Sequence, residues 1–175
     1  MASPIAHSLA GALIYFTANR QQPIRWPELF AVIIAANLAD FDLIPGILLG
    51  EHSMFHRTFS HSLFTALAVA TAGYFIWRRF EPGQALRVSF LIGLALVSQL
   101  LIDWLSYDPT VPQGIAVFWP FSHEYYMANN TLFLNIERDN VTTLPVIKHN
   151  MKAAAIELLV MGGPFLWALW RFRHR

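Results

Sequence analysis

The segment of residues 36–64, ANLADFDLIPGILLGEHSMFHRTFSHSLF, limits most strongly what this chain can fold into. It places acidic side chains and imidazoles between two apolar runs: Asp40, Asp42, Glu51, His52, His56 and His61. Carboxylate oxygens together with neutral imidazoles suit zinc, manganese or iron(II). An aspartate at the centre of a bilayer costs roughly 2.5–3.5 kcal/mol. We therefore expect these acids to lie at a water interface and a divalent metal ion to neutralise them.

The composition is that of an integral membrane protein. Hydrophobic residues make up 55% of the 175 and charged residues only 13%, whereas an ordinary soluble domain has about 25% charged residues. The length suits one domain, residues 1–175. The absence of cysteine excludes disulfides and thiolate metal ligands. A net charge of +1 without any basic run predicts no nucleic-acid partner, so the expected partner is the lipid bilayer.

Five apolar stretches predict an all-α, polytopic helical membrane protein with five spans: residues 5–18, 28–39, 61–77, 85–107 and 151–170. No basic region precedes the first stretch, so we expect that stretch itself to direct insertion. After the second, Pro45 and Gly46 form a pair that breaks helices. A polar, aromatic-rich segment, residues 108–150, is predicted to be extracytoplasmic. Glu157 in the fifth stretch is expected to hydrogen-bond to another span.

The basic residues sort to one side of this five-span arrangement. Eight of the 12 lysines and arginines fall there: Arg20, Arg25, Arg78, Arg79, Arg87, Arg171, Arg173 and Arg175. The positive-inside rule makes that side cytoplasmic. Six of the seven histidines fall on the other side. The pattern predicts a bacterial inner-membrane protein whose polar residues face the periplasm.

The two aspartates that follow the second stretch have two interpretations. Asp40 and Asp42 would diverge by roughly 200° on a regular helix, but near the Pro45 break both could turn toward one ion. Alternatively, they make a frayed helix end soluble. Acidic residues are unfavourable beside the negative end of a helix dipole, which weakens that alternative.

The histidines also have two interpretations. His7 lies at the outer end of the first stretch, as a metal ligand or as an ordinary interfacial histidine. His56 and His61 are five residues apart, so they meet only if the segment is not one continuous helix. Ser60 is a predicted N-cap for the third helix. Without a metal the pair would be surface histidines.

Three further polar side chains stand out. Asp103 is flanked by apolar residues and is too costly in a membrane to lack a functional or structural partner. Gln99 lies one helical turn earlier on the same face. Arg57 suits an anionic substrate group such as a phosphate, or it pairs with Asp42 to hold the loop. The aromatic residues 114–126 form a belt at the headgroup level, and they could roof the polar residues and contact an acyl chain.

Four segments of the chain resemble a known family: PIAHSLAG, ANLADFDLIPG, FHRTFSHS and SQLLIDWLSYDPTVPQGIAVFWPFS. The family is the YdjM-like family of predicted membrane-bound metal-dependent hydrolases. The order of histidines and aspartates is also similar, more distantly, to zinc-dependent phospholipase C and related nucleases. The resemblance implies that metal is held or supported by His7, Asp40, Asp42, His56, His61 and Asp103. The family has HxxxD in the fourth span, and Gln99 replaces that histidine here. Its carbonyl oxygen would be a poorer zinc ligand than imidazole.

The resemblance implies hydrolysis by metal-activated water at the extracytoplasmic interface. Asp42 or Asp103 would act as general base or orient a ligand histidine, and Arg57 would contact the substrate. A lipid or another phosphoester is the expected substrate class. The HExxH motif of zinc proteases is absent, so peptide hydrolysis gains no support. The alternative is a non-catalytic membrane protein with a structural metal, an adaptor or a cation carrier. Polar groups gathered at one end argue against transport.

Overall fold

The computed structural model describes residues 1–20, 22–44 and 57–173, which form a bundle of helices. Within these ranges the α-helices are α1 (Pro4–Ala18), α2 (Trp26–Ala35), α3 (Leu63–Phe80), α4 (Ala85–Trp104) and α5 (Leu144–Arg173). Short 3-10 turns lie at Leu38–Asp42, Phe59–His61 and Pro82–Gln84. The described part of the chain contains no strand, only two isolated bridges. The predicted all-α class is confirmed.

Two of these helices are long and apolar enough to cross a membrane. One is α4 together with the turn before it, Pro82–Trp104, and the other is α5. The apolar helices α1 and α2 have 15 and 10 residues, against the ~20 that a straight crossing needs. α3 has 18 residues and carries Arg78 and Arg79 in its last turn. By length and composition, the described helices therefore supply two clear spans.

Serine side chains fix where two of the helices begin. Ser3 Oγ accepts a hydrogen bond from the backbone N–H of Ile5 at 3.1 Å, and Pro4 occupies the first turn of α1. Ser62 Oγ accepts from the N–H of Thr65 at 3.1 Å at the start of α3. The prediction that Ser60 caps this helix is wrong. Ser60 lies in the preceding 3-10 turn, where its hydroxyl donates to Asp42.

α1 lies inside the bundle, where it packs against α2, α4 and α5. Its contact with α2 is close because Gly11 faces that helix. A Cβ atom at Gly11 would lie 3.0 Å from the Ala36 Cβ and 3.1 Å from the Ile33 Cα. Small residues at helix contacts let backbones approach in this way in membrane proteins. Tyr15 and Val32, both fully buried, continue the same core.

Several arginines, among them Arg20, Arg25 and Arg87, lie at one end of the bundle. Arg25 pairs with Glu81, which joins the α1–α2 connection to the end of α3. The guanidinium of Arg20 lies 5.9 Å from the ring centroid of Trp167 on α5. Glu28 at the start of α2 receives a hydrogen bond from Arg87 of α4. The opposite end therefore carries the start of α1, the end of α2, the start of α3 and the end of α4.

The long connection between α4 and α5 packs against that opposite end. The backbone N–H of Leu63 donates to the carbonyl of Val117 at 3.0 Å, and that of Tyr107 donates to Phe133 at 2.9 Å. The ring of Trp119 lies 5.9 Å from that of Phe59. This connection is shorter than predicted, because α5 begins at Leu144, ahead of the predicted start at residue 151.

Candidate metal centre

Two histidines and two aspartates from four separate elements meet at the end opposite the arginines. His7 lies in α1, Asp40 in the 3-10 turn after α2, His61 in the turn before α3, and Asp103 near the end of α4. We call these four residues the His–Asp cluster. Both histidines are 0% exposed and Asp103 is 2% exposed. Such burial of potentially charged groups requires mutual pairing or a bound ion.

The ligand atoms of the cluster face one another at short distances. His7 Nε2 lies 3.4 Å from Asp103 Oδ1 and 3.7 Å from Asp40 Oδ2. His61 Nε2 lies 3.4 Å from Asp40 Oδ1 and 3.5 Å from Asp103 Oδ2. Each carboxylate thus directs one oxygen toward each histidine. These four residues could hold one or two divalent ions.

The four histidine–carboxylate separations are close to those between neighbouring ligand atoms of one metal ion. Zinc bonds of about 2.0–2.2 Å at tetrahedral angles place neighbouring ligand atoms about 3.3–3.6 Å apart. Ligand atoms of His7, Asp40 and Asp103 all lie within 4.8 Å of one another. The donor set, imidazole nitrogen and carboxylate oxygen, is that of zinc, manganese and iron(II) sites. The residues therefore fit a divalent metal ion.

Several cluster atoms have unused hydrogen-bonding capacity. Within the described ranges, His7 Nε2, Asp40 Oδ1 and both oxygens of Asp103 have no hydrogen-bond partner. An unsatisfied buried polar atom costs about 1–3 kcal/mol. Several such atoms facing one another at one point would be expensive without a ligand. Coordination of a cation would satisfy them together.

Asp42 lies behind His61, on the far side of the imidazole from the other two carboxylates. Its Oδ2 is 3.2 Å from His61 Nδ1, and it accepts hydrogen bonds from Ser60 Oγ and, at 3.0 Å, from the Arg57 N–H. Ser60 Oγ also lies 3.0 Å from His61 Nδ1. A carboxylate on one imidazole nitrogen orients the other nitrogen for metal binding. The 3-10 turn lets both aspartates face the same imidazole although they are two residues apart. Asp40 contacts Nε2 of His61, and Asp42 contacts Nδ1.

Gln99 is fully buried one turn before Asp103, and its side chain reaches the turn that carries Asp40. Its Oε1 accepts a hydrogen bond from the backbone N–H of Ala39 at 3.1 Å. In the described residues its Nε2 has no hydrogen-bond partner. The predicted role of Gln99 as a metal ligand stays a prediction. In that role Oε1 would use its second lone pair, because the first accepts the hydrogen bond from Ala39.

Arg57 connects the cluster to the long α4–α5 connection. Its guanidinium pairs with the buried Asp108, and its carbonyl accepts from the Ala116 N–H at 3.2 Å. Its backbone is in the left-handed region, at φ 68°. Burial lowers the pKa of Arg57, and the nearby positive charge of Arg138 lowers that pKa further. The predicted contact with Asp42 exists through the backbone N–H of Arg57, whereas the side chain pairs with Asp108.

Some functional contacts were not predicted from the sequence, and one predicted residue lies elsewhere. The role of Asp108 was missed, although an aspartate near Pro109, Pro112 and Gly114 is a common sign of a side chain that fixes a turn. Asp108 accepts from the N–H groups of Thr110 and Gly114 at 3.0 and 2.9 Å. His56, with Glu51 and His52, lies outside the described residues.

The hydrogen bond predicted for Glu157 is confirmed. This buried carboxylate on α5 accepts from the backbone N–H of Ser3 at 2.6 Å and from the Ser3 hydroxyl. Ser3 is the residue that caps α1. Glu157 therefore ties α5 to the start of the helix that carries His7.

The fold and the cluster together define a class, the helical membrane proteins with a buried histidine–aspartate centre. The sequence profile of the YdjM inner membrane protein family matches residues 1–175, so the chain belongs to that family. The family and the two apolar helices make this an inner-membrane protein. No curated protein and no solved structure matches the chain.

Substituting histidine for Gln99 is expected to strengthen zinc binding relative to magnesium. The imidazole would stand on the helix face of Asp103 and add a nitrogen donor, which zinc prefers more than magnesium does. Loss of the hydrogen bond to Ala39 offsets part of the gain. Competition titrations of Gln99→His and wild type against a chelator would measure both affinities. Equal zinc-to-magnesium ratios in the two proteins would contradict the prediction.

Proposed function

We propose that this protein is a membrane-bound metal-dependent hydrolase of a phosphoester or lipid-like substrate. The proposal rests on one observation: His7, His61 and Asp103, all buried, meet the partly exposed Asp40 with histidine–carboxylate distances of 3.4–3.7 Å. Zinc is the preferred ion, with manganese and iron(II) as alternatives. His7, Asp40, His61 and Asp103 would hold it, and His56 and Gln99 are further predicted ligands. When bound, such an ion lowers the pKa of a coordinated water to about 7, so that hydroxide is available near neutral pH.

Asp42 has the position of an orienting group or general base in this proposal. It contacts Nδ1 of His61 and leaves Nε2 directed at Asp40 and Asp103. Its hydrogen bonds from Ser60 and from the backbone of Arg57 hold the carboxylate in place. Asp42 would therefore fix the tautomer and ring orientation of His61. Asp103, whose oxygens face both histidines, would hold the ion.

Arg57 supports an anionic substrate. Its guanidinium pairs with Asp108 through Nη1. Its Nε, which has no hydrogen-bond partner among the described residues, can donate to a phosphoryl oxygen. The aromatic residues of the α4–α5 connection lie against the start of α3, with Trp119 also 6.0 Å from Phe64. Aromatic rings at this level suit contact with lipid acyl chains. A phosphoester within a lipid, or linked to one, satisfies both features.

The direct test measures metal and hydrolysis on the same preparation. Protein purified in detergent should contain about one or two divalent ions per chain and hydrolyse a chromogenic phosphodiester or phospholipid vesicles. Chelation should remove the activity, and zinc or manganese should restore it. A protein that binds metal but hydrolyses neither substrate class would support the alternative, a non-catalytic metal-binding membrane protein. A protein without bound or bindable metal would overturn the proposal.

We further infer five spans, with the amino terminus outside and the carboxyl terminus in the cytoplasm. The arginine-rich end of the bundle supports this orientation through the positive-inside rule. The His–Asp cluster lies at the other end, which would face the periplasm. An interfacial position would also place the carboxylates where lipid headgroups and water are available.

Cysteine labelling tests this orientation on a background that has no cysteine. Gln22→Cys, Gly83→Cys and Asn130→Cys each fall at an exposed position, and a side chain at Gly83 meets nothing within 4 Å. An impermeant maleimide added to intact spheroplasts should label only Asn130→Cys. The other two should react after permeabilisation. Labelling of the first two from outside would contradict the orientation.

A further inference from the structure

Gln99 has a donor group that the fold leaves unused beside the His–Asp cluster. The hydrogen bond from the Ala39 N–H fixes which way the amide is turned, since only its oxygen can accept that bond. The NH2 group must then face the other side. Within the described part of the chain Nε2 has no hydrogen-bond partner, and the side chain is 0% exposed. A buried donor without an acceptor is costly, so a ligand that supplies an acceptor would relieve that cost.

The amide lies between two members of the cluster. Ala39, to which it is bonded, immediately precedes Asp40 in the chain. Asp103 is one helical turn after Gln99 on the same face of α4. The amide is thus next to the turn that carries Asp40 and on the same face of α4 as Asp103. An amide nitrogen has no lone pair free for a metal, so this group can act only as a donor.

We propose that Gln99 Nε2 donates a hydrogen bond to an oxygen atom of the anionic ligand held at the His–Asp cluster. The ligand class is a phosphate, either free or as a phosphoester group. Gln99 thereby recognises the substrate through its nitrogen, and its oxygen positions the turn that carries Asp40. This inference rests on the proposed metal-dependent hydrolase function. It assigns a role to the residue that replaces a family histidine in this chain.

Replacing Gln99 by glutamate separates the two halves of the amide. Gln99→Glu has nearly the same shape and keeps an oxygen that accepts from the Ala39 N–H, but it loses the donor. Inorganic phosphate binding to the zinc-loaded protein should weaken roughly tenfold or more, as expected for loss of a hydrogen bond to a charged group. Zinc affinity should stay equal or rise. Isothermal titration in detergent, with zinc and then with phosphate, measures both.

A second variant controls for the added negative charge. Ser8→Asp introduces the same charge next to His7, and its carboxylate can still accept from Asn37 Nδ2, as Ser8 Oγ does at 3.2 Å. This variant keeps Gln99 and adds only a screened Coulomb repulsion between the new carboxylate and the phosphate. Its phosphate affinity should therefore stay within about threefold of wild type. Equal weakening in Ser8→Asp and Gln99→Glu would show that charge is responsible and would overturn the inference.

The remaining outcomes separate this inference from the proposed function. A wild-type protein that binds zinc and phosphate, with unchanged phosphate affinity in Gln99→Glu, overturns the donor role and leaves the metal centre in place. A large rise in zinc affinity without loss of phosphate affinity would make residue 99 a ligand position, and also overturns the donor role. A wild-type protein that binds no metal overturns the proposed function and this inference with it.

Discussion

Replacing Asp103 by asparagine is expected to abolish high-affinity binding of zinc or manganese. Asp103 is 2% exposed, and its two oxygens lie 3.4 and 3.5 Å from the Nε2 atoms of His7 and His61. Asparagine keeps the shape but removes the charge and one of the two acceptor oxygens. Loss of a group behind a metal ligand typically costs 10–100-fold in metal affinity. Loss of a carboxylate shared by both histidines should therefore exceed roughly 100-fold.

Asp42→Asn serves as the matched control, because Asp42 lies 3.2 Å from His61 Nδ1, the imidazole nitrogen that faces away from Asp40 and Asp103. Its zinc affinity should fall less, by roughly 10–100-fold. Metal content by mass spectrometry and chelator competition give the two affinities, and circular dichroism checks that both variants keep their helices. Equal affinities of Asp103→Asn and wild type would exclude Asp103 from the site. A larger loss in Asp42→Asn than in Asp103→Asn would reverse the assigned roles.

The all-α class could be predicted because the length of each apolar stretch can be read directly from the local sequence. The apolar stretches correspond to α1–α5, with ends that differ by up to seven residues, the largest difference being at the start of α5. Those ends depend on capping side chains, and two serines two positions apart, Ser60 and Ser62, are equivalent candidates in the sequence. Only Ser62 is free to cap, since the hydroxyl of Ser60 is directed at Asp42. That contact joins residues 18 apart in the chain, which no local pattern indicates.

The gathering of His7, Asp40, His61 and Asp103 could be expected from their shared side of the membrane. The different contacts that these side chains make could not be expected from the sequence. Sequence spacing treats Asp40 and Asp42 as equivalent acids, whereas the 3-10 turn places one against Nε2 of His61 and the other against Nδ1. From the sequence, Asp42 was one predicted partner of the Arg57 side chain, whereas in the structure that side chain pairs with Asp108. Long-range contacts of this kind depend on how the α4–α5 connection folds back.

The largest expected effect on stability comes from Glu28, at the arginine end of the bundle. Its side chain is 1% exposed and lies 3.0 Å from Arg25 Nη1, and it also accepts from Arg87. Removing one partner of a buried ion pair costs about 3–5 kcal/mol. Here Arg25 and Arg87 are 30% and 33% exposed, so water compensates part of the loss. We expect Glu28→Gln to destabilise the protein by about 2–3 kcal/mol, and Tm in detergent to fall by several degrees.

Glu81→Gln is the control for this prediction, since Glu81 also pairs with Arg25 but its side chain is 43% exposed. An exposed ion pair contributes about 0–1 kcal/mol, so this variant should lower Tm much less than Glu28→Gln. Neither variant should change zinc affinity, because the two glutamates lie at the end of the bundle away from the His–Asp cluster. Differential scanning fluorimetry gives the Tm values, and chelator competition gives the affinities. Indistinguishable Tm values for Glu28→Gln and wild type would show that the buried carboxylate does not hold α2 to α4. A fall in zinc affinity in Glu28→Gln would instead mean that the arginine end sets the geometry of the cluster through α1 and α4.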